Sequence, residues 1–139
     1  ASSYATTYTN NVTLAANNGT NASEAEIVIS GTTYQGLKMG TGKKGGSAEV
    51  FVPAGTKKLH IHAVGWNKTT PTVTISGAKS SPSTLTLSPD AGVSGSGTFT
   101  LQGNAADYYY ELVLSDITAA TTITFTSDKR FVLFGVNAE

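Results

Sequence analysis

The chain contains no cysteine, which excludes a disulfide framework, a thiolate zinc site and a thiol nucleophile. Charge is scarce: charged residues make up 13%, and nine basic residues balance nine acidic ones. A chain of zero net charge carries no electrostatic footprint for DNA or RNA, so no nucleic-acid partner is expected. No apolar run reaches the ~18 residues of a membrane-spanning helix, so no membrane partner is expected either. Proline occurs only 4 times and tryptophan once. No stretch has the Ala/Leu/Glu/Lys-rich 3.6-residue period of an amphipathic helix. No charged and apolar leader stands at the N-terminus, so Ala1 reads as a mature or excised domain start. The G-x-S-x-G elbow of serine hydrolases is also missing.

What the chain does have is Thr, Ser, Val, Ile, Tyr and Phe, with 15 glycines. β-Branched and aromatic side chains suit a pleated, half-buried surface. At 139 residues the chain is one domain, residues 1–139, long enough to bury a core without staples. Strand patterns bounded by turn signals predict strands over Tyr4–Tyr8, Val12–Ala15, Glu24–Ser30, Thr33–Met39, Ala48–Val52 and Lys57–Trp66. Further strands are predicted over Pro71–Ser76, Ser83–Leu87, Gly97–Leu101, Tyr108–Leu114, Thr121–Thr126 and Arg130–Val136. Ser80–Pro82 and Pro89–Gly97 read as loops. A dozen short strands at this spacing predict an all-β, two-sheet antiparallel β-sandwich of jelly-roll type. Phe131–Val136, apolar on both faces and free of proline, is expected in the middle of a sheet.

The chemistry concentrates in Lys57–Trp66. Side chains alternate along a strand, so Leu59, Ile61 and Ala63 point into the core while His60, His62, Val64 and Trp66 point outward. Two imidazoles and the only Trp in one exposed row suit a sugar: the ring stacks on its C–H face and the polar groups meet its hydroxyls. The plain structural reading is that Trp66 caps the core edge, and a one-residue bulge would reverse the facing. In Tyr108–Leu114, core leucines at 112 and 114 would turn Tyr109 and Glu111 outward, with Tyr108 and Tyr110 on the leucine face. Tyr109 and Glu111 are therefore candidate ligand contacts, and Tyr34 is a weaker one.

Other motifs read as structure. His60-x-His62 sets two imidazoles on one face, but a metal centre needs three or four converging ligands, and these are the only 2 histidines. Gly40–Gly45 matches G-x-G-x-x-G but precedes a strand, not the helix that dinucleotide binding requires. Asp90, Asp107, Asp116 and Asp128 sit in loops; they are candidate ligands for structural calcium, although turn aspartates usually cap backbone N–H groups. No other cofactor is expected. Of the N-x-[ST] sequons at Asn11, Asn18, Asn21 and Asn67, most are chance matches in an Asn/Thr-rich chain, and they matter only where the host glycosylates such sites. Glu24, Glu26, Glu49 and Glu111 alternate with apolar residues and read as solvated strand faces rather than a hydrolytic pair.

The segment Gly36–Trp66, with Leu37-Lys38-Met39-Gly40, Val50–Gly55 and Lys57–Trp66, resembles the jelly-roll modules of secreted polysaccharide-degrading bacterial enzymes. The closing Lys129–Val136 is similar to the last strand of many carbohydrate-binding modules. The resemblance implies a secreted, monomeric, non-catalytic module attached to the catalytic domain of a glycoside hydrolase. Its expected ligand is a plant cell-wall β-glucan: cellulose-type chains, mixed-linkage glucan or xyloglucan. Of the aromatics such modules use, Trp66 and Tyr109 match; a row of several exposed tryptophans is missing, which favours single soluble chains over crystalline cellulose. The expected site is Trp66 for stacking, with His60, His62, Tyr109 and Glu111 as polar contacts. Two rival classes remain: a structural or adhesive surface sandwich with a protein partner, which predicts edge pairing or a large apolar patch, and a small glycan-cleaving or metal-dependent enzyme, which predicts turnover.

Overall fold

The computed structural model describes residues 13–17, 23–39, 45–66, 69–87 and 98–139. The strand expected at Tyr4–Tyr8, the asparagines of the four sequons, the Pro89–Gly97 segment with Asp90, and all of Gly40–Gly45 except Gly45 lie outside them.

The described chain forms β1 (Thr13–Asn17), β2 (Ser23–Ile29), β3 (Thr32–Met39), β4 (Ser47–Val52), β5 (Lys58–Gly65) and β6 (Thr72–Ser76). It continues through β7 (Lys79–Ser81), β8 (Thr84–Thr86), β9 (Thr98–Leu101), a 3-10 turn (Ala105–Tyr108), β10 (Tyr109–Ser115), β11 (Thr121–Ser127) and β12 (Phe131–Ala138). A five-stranded sheet runs β1-β4-β11-β6-β8, and a seven-stranded sheet runs β7-β10-β5-β12-β3-β2-β9. All neighbours are antiparallel except β2 and β9, which run parallel. The protein is an all-β sandwich. The short β7 forms where the sequence pattern shows a loop: Lys79, Ser80 and Ser81 have no apolar alternation, and they pair with β10 along the sheet edge.

Local sequence explains several joins. Ile29 pairs with Thr32, leaving a two-residue turn at Ser30-Gly31 with φ of 49° and 81°. Two left-handed residues match the right-handed twist of the hairpin strands, and glycine adopts that geometry freely. Gly45 has a different reason for lacking a side chain: a Cβ there would collide with the Ser127 carbonyl. That approach lets Ser127 N–H donate to the Gly46 carbonyl at 3.0 Å, while Ser127 Oγ donates to the Lys129 carbonyl at 2.6 Å.

Between the sheets lies the main core, with Val50, Leu59, Ile61, Leu112, Ile123, Phe125, Phe131 and Leu133 among its members. Each full burial of such a side chain is worth roughly 1.5–3 kcal/mol. β12 sits between β5 and β3, with all but Asn137 of its residues buried. This is the central position that its unbroken apolar run predicts.

A second apolar cluster fills the outer face of the seven-stranded sheet: Ile27, Ile29, Tyr34, Val64, Trp66, Phe99, Leu101, Tyr108, Val132 and Phe134. Its existence follows from the sheet's shape. Trp66, at the end of β5, and Phe99, on β9, meet edge to face with ring centroids 5.4 Å apart. Four interstrand steps separate β5 from β9, about 19 Å in a flat sheet. The sheet therefore curls toward its outer face and closes over that end of it.

Candidate functional site

β5 obeys the expected alternation. Leu59, Ile61 and Ala63 enter the inter-sheet core, and His60, His62, Val64 and Trp66 occupy the outer face. The expectation that fails is solvent exposure. His60, His62 and Trp66 are each only 7% exposed, because the curled sheet and the 3-10 turn cover the face that the strand pattern shows as open.

Trp66 belongs to the covered end. Phe99 presents its edge to the indole. Lys38 Nζ and Arg130 Cζ lie 5.3 and 5.0 Å from its ring centroid, within cation–π range. Lost hydration, then the neighbouring Arg130 guanidinium, lowers the pKa of Lys38; burial lowers that of Arg130. The Trp66 carbonyl is held by the Thr69 N–H at 3.0 Å and hydroxyl at 2.6 Å. These contacts make Trp66 a packing residue, not an open stacking platform. Tyr34 is likewise buried, its ring 5.8 Å from Phe134.

Phe134 is the hub of the face. Its ring contacts Tyr34, His62 at 5.6 Å and Tyr108 at 6.4 Å. Tyr108 departs from the expected parity. It ends the 3-10 turn instead of starting β10, so it lies in the outer cluster and not with the leucines. Its hydroxyl donates to the Gln102 carbonyl at 2.7 Å and fastens the turn over the face. Leu112 and Leu114 do enter the inter-sheet core, and Tyr110 packs against it.

Beyond Phe134 the face opens. Cross-strand register sets Tyr109 opposite His62, and Glu111 opposite His60. On the other side of β5, Gly135 faces His62 and Asn137 faces His60. Tyr109, 41% exposed, lies over both imidazoles, with centroids 5.2 Å from His60 and 5.0 Å from His62. His60 Nε2 is 2.9 Å from Glu111 Oε2 and 3.9 Å from Glu139 Oε2. The short contact to a carboxylate places the imidazole proton on Nε2. Lys58 Nζ stands 3.9 Å from Glu111 Oε1, both side chains being half-exposed. The structure thus brings together four of the six expected residues, His60, His62, Tyr109 and Glu111, and separates Trp66 and Tyr34 from them. It adds Lys58, Asn137 and Glu139. Lys58 was legible from its even spacing with His60; Asn137 and Glu139 join only through strand pairing.

Burial, and then the charge of His60, lowers the His62 pKa to about 4, so His62 is neutral at neutral pH. Burial, then the Glu111 and Glu139 carboxylates, raises the Tyr109 pKa. Its phenol remains an O–H donor. An exposed aromatic ring with a fixed edge, carboxylate acceptors and one ammonium beside it can stack on an apolar ring face and bond its polar rim. Further along the same strands an open depression of about 520 Å³ lies between residues 55–58 and Val113, Leu114, Asp116 and Ile117.

Among the described residues no group of three or more His, Cys, Asp or Glu side chains is placed to hold a metal ion. The described loop aspartates have partners within the protein. Asp107 Oδ2 accepts from the Asn104 N–H at 2.8 Å, Asp128 Oδ1 from the Thr72 N–H at 2.9 Å, and Asp116 lies 3.9 Å from Lys79 Nζ.

No protein-family profile matches the chain, and no curated protein matches it in sequence. Among solved structures it is similar to the carbohydrate-binding module CsCBM6-3 from Clostridium stercorarium, solved in complex with cellobiose. Identity is 12%, the likeness covers 91% of this chain and 87% of that one, and the TM-score is 0.50. It is also matched to the enzymatically active domain of tailspike protein 4 of bacteriophage CBA120, at 16% identity and a TM-score of 0.38, over 93% of this chain and 19% of that one. The first likeness agrees with the sandwich fold.

Proposed function

We propose that this domain is a non-catalytic carbohydrate-binding module whose site is the open end of the outer sheet face. The observation that carries the reading is Tyr109: an exposed ring seated on two imidazoles and flanked by Glu111, Lys58 and Glu139. Such a ring gains by covering the C–H face of a sugar, and its charged neighbours bond the hydroxyls. The bound cellobiose of CsCBM6-3, a protein of similar fold, supports the ligand class. The ligand is a single β-glucan chain of the cellulose, mixed-linkage or xyloglucan type. The module acts as a monomer, in a secreted protein, to hold an attached glycoside hydrolase on its substrate. Trp66 takes no part in stacking; its role is to close the far end of the face. Among the described residues the large exposed apolar side chains are Phe51, Tyr109 and Val113. Phe51 lies on the other sheet, a pattern that favours a local ligand site over an extended adhesive surface.

Affinity electrophoresis in gels containing barley β-glucan, xyloglucan or hydroxyethylcellulose tests the reading. Retardation by at least one glucan is expected, lost in Tyr109→Ala with the fold intact, and with no release of reducing sugar. Unchanged mobility in all three gels, or full retardation of Tyr109→Ala, refutes it.

A further inference from the structure

One polar atom on this face is left over. Asn137 Oδ1 is buried and has no hydrogen-bond partner among the described residues. Buried polar atoms are almost always paired, so each orphan calls for an explanation. Register places Asn137 opposite His60, on the same face as the site. The groups around it do not supply a proton. Glu111 and Glu139 are acceptors, and the His60 Nε2 proton is directed at Glu111, 2.9 Å away. Backbone N–H groups alongside are used in the ladder that joins Lys58 and Glu139, at 2.9 Å in each direction. Lys58 Nζ stands 3.9 Å from Glu111 Oε1 and makes no hydrogen bond to Asn137. Among the described residues no group donates to Asn137 Oδ1; the residue itself is only partly buried, so a small turn of its amide presents this acceptor to a donor on a bound ligand.

We infer that Asn137 is a ligand-reading residue of this site, its Oδ1 accepting a hydrogen bond from one hydroxyl of the bound sugar; the inference rests on the glycan-binding reading above. The chemistry also defines what that donor is. The open end holds two carboxylates, one amide oxygen and one ammonium, a set rich in acceptors. An acidic sugar would bring a third carboxylate beside Glu111 and Glu139, at a Coulombic cost. A neutral sugar hydroxyl both donates to Asn137 and leaves its own oxygen free to accept from Lys58 or the Tyr109 phenol. Loss of one neutral hydrogen bond corresponds to roughly a 3- to 10-fold loss of affinity.

The experiment is a titration of cellotetraose, followed by calorimetry or NMR, into wild type, Asn137→Ala and Tyr109→Ala. Asn137→Ala is expected to bind roughly 3- to 10-fold more weakly, with its melting temperature unchanged. A set of monodeoxy cellotetraoses then closes a double-mutant cycle. One analogue should weaken wild type by that same factor and have no further effect on Asn137→Ala. If the alanine variant melts early, Asn137→Ser, which keeps a polar group but loses its reach, replaces it in the cycle. Wild-type affinity in the variant, or equal sensitivity of both proteins to every monodeoxy analogue, overturns this inference while leaving the Tyr109 site standing; an Asn137 satisfied by water alone gives that result. Cellotetraose binding that is absent even in wild type overturns this inference, and together with unchanged mobility in all three glucan gels it overturns both readings.

Discussion

Acidification should destabilise this protein through His62 in particular. In the folded chain burial and the neighbouring His60 hold His62 near a pKa of about 4, against 6.5 for a free imidazole. Between those values the unfolded chain binds a proton that the folded chain refuses. Stability is therefore whole above pH 6.5, falls as the pH drops towards 4, and stays low below it. A separation of that size corresponds to at most about 3.5 kcal/mol. The imidazole lies at the rim of the covered region, between Phe134 and the half-exposed Tyr109, so solvent screening reduces the expected effect to roughly 1–2 kcal/mol. The assay is urea denaturation of wild type and His62→Gln at half-unit steps from pH 7.5 to 4. Protonation of Glu111, Glu139 and the other carboxylates is common to both proteins and cancels in the difference. The variant starts less stable, having lost the ring's packing against Tyr109 and Phe134, and should gain on wild type by roughly 1–2 kcal/mol as the pH falls, equivalent to about 3–8 °C in Tm. Parallel stability curves, or a His62 resonance that titrates near 6.5, would refute the argument that the curled face desolvates this residue.

Trp66→Ala should lower stability by about 3–5 kcal/mol, seen in thermal melts, because the indole fills the gap between Phe99, Lys38 and Arg130; an unchanged Tm would show that the sheet does not close there. Gly45→Ala should cost roughly 1–3 kcal/mol by overpacking, since its methyl group meets the Ser127 carbonyl; a neutral substitution, measured by denaturant titration, would mean that β4 and β11 separate easily at that end. Tyr109→Ala should leave Tm within a few degrees, because the ring is 41% exposed, while removing glucan retardation in native gels.

How much of this was legible beforehand differs between fold and site. The alternation in Lys57–Trp66 and Tyr108–Leu114 is local and was readable, so the inward set Leu59, Ile61, Ala63, Leu112 and Leu114 was correctly assigned. The unbroken apolar run of Phe131–Val136 showed a strand covered on both sides. β5 carries the same signature, every residue from Leu59 to Gly65 being buried, but its histidines disguised it, because a polar type was read as an exposed position. The parity of Tyr108 failed for another local reason: a 3-10 turn occupies the residues before Tyr109, and its start at Asn104-Ala105 resembles any polar loop.

By itself the sequence determined the chemistry and the faces: a neutral, cysteine-free, β-rich chain, with two imidazoles, a tyrosine and a glutamate on the outward parity of two strands. Only the tertiary structure decided which end of that face is open. Alternation specifies the side of a sheet to which a residue points, whereas solvent access depends on what lies over that side. Here the cover is Phe99, on a strand four places away, brought over Trp66 by the curl of the sheet. The same pairing set Asn137 and Glu139 beside His60. No spacing along the chain encodes those neighbours, because strand register and sheet curvature are properties of the assembled ladder.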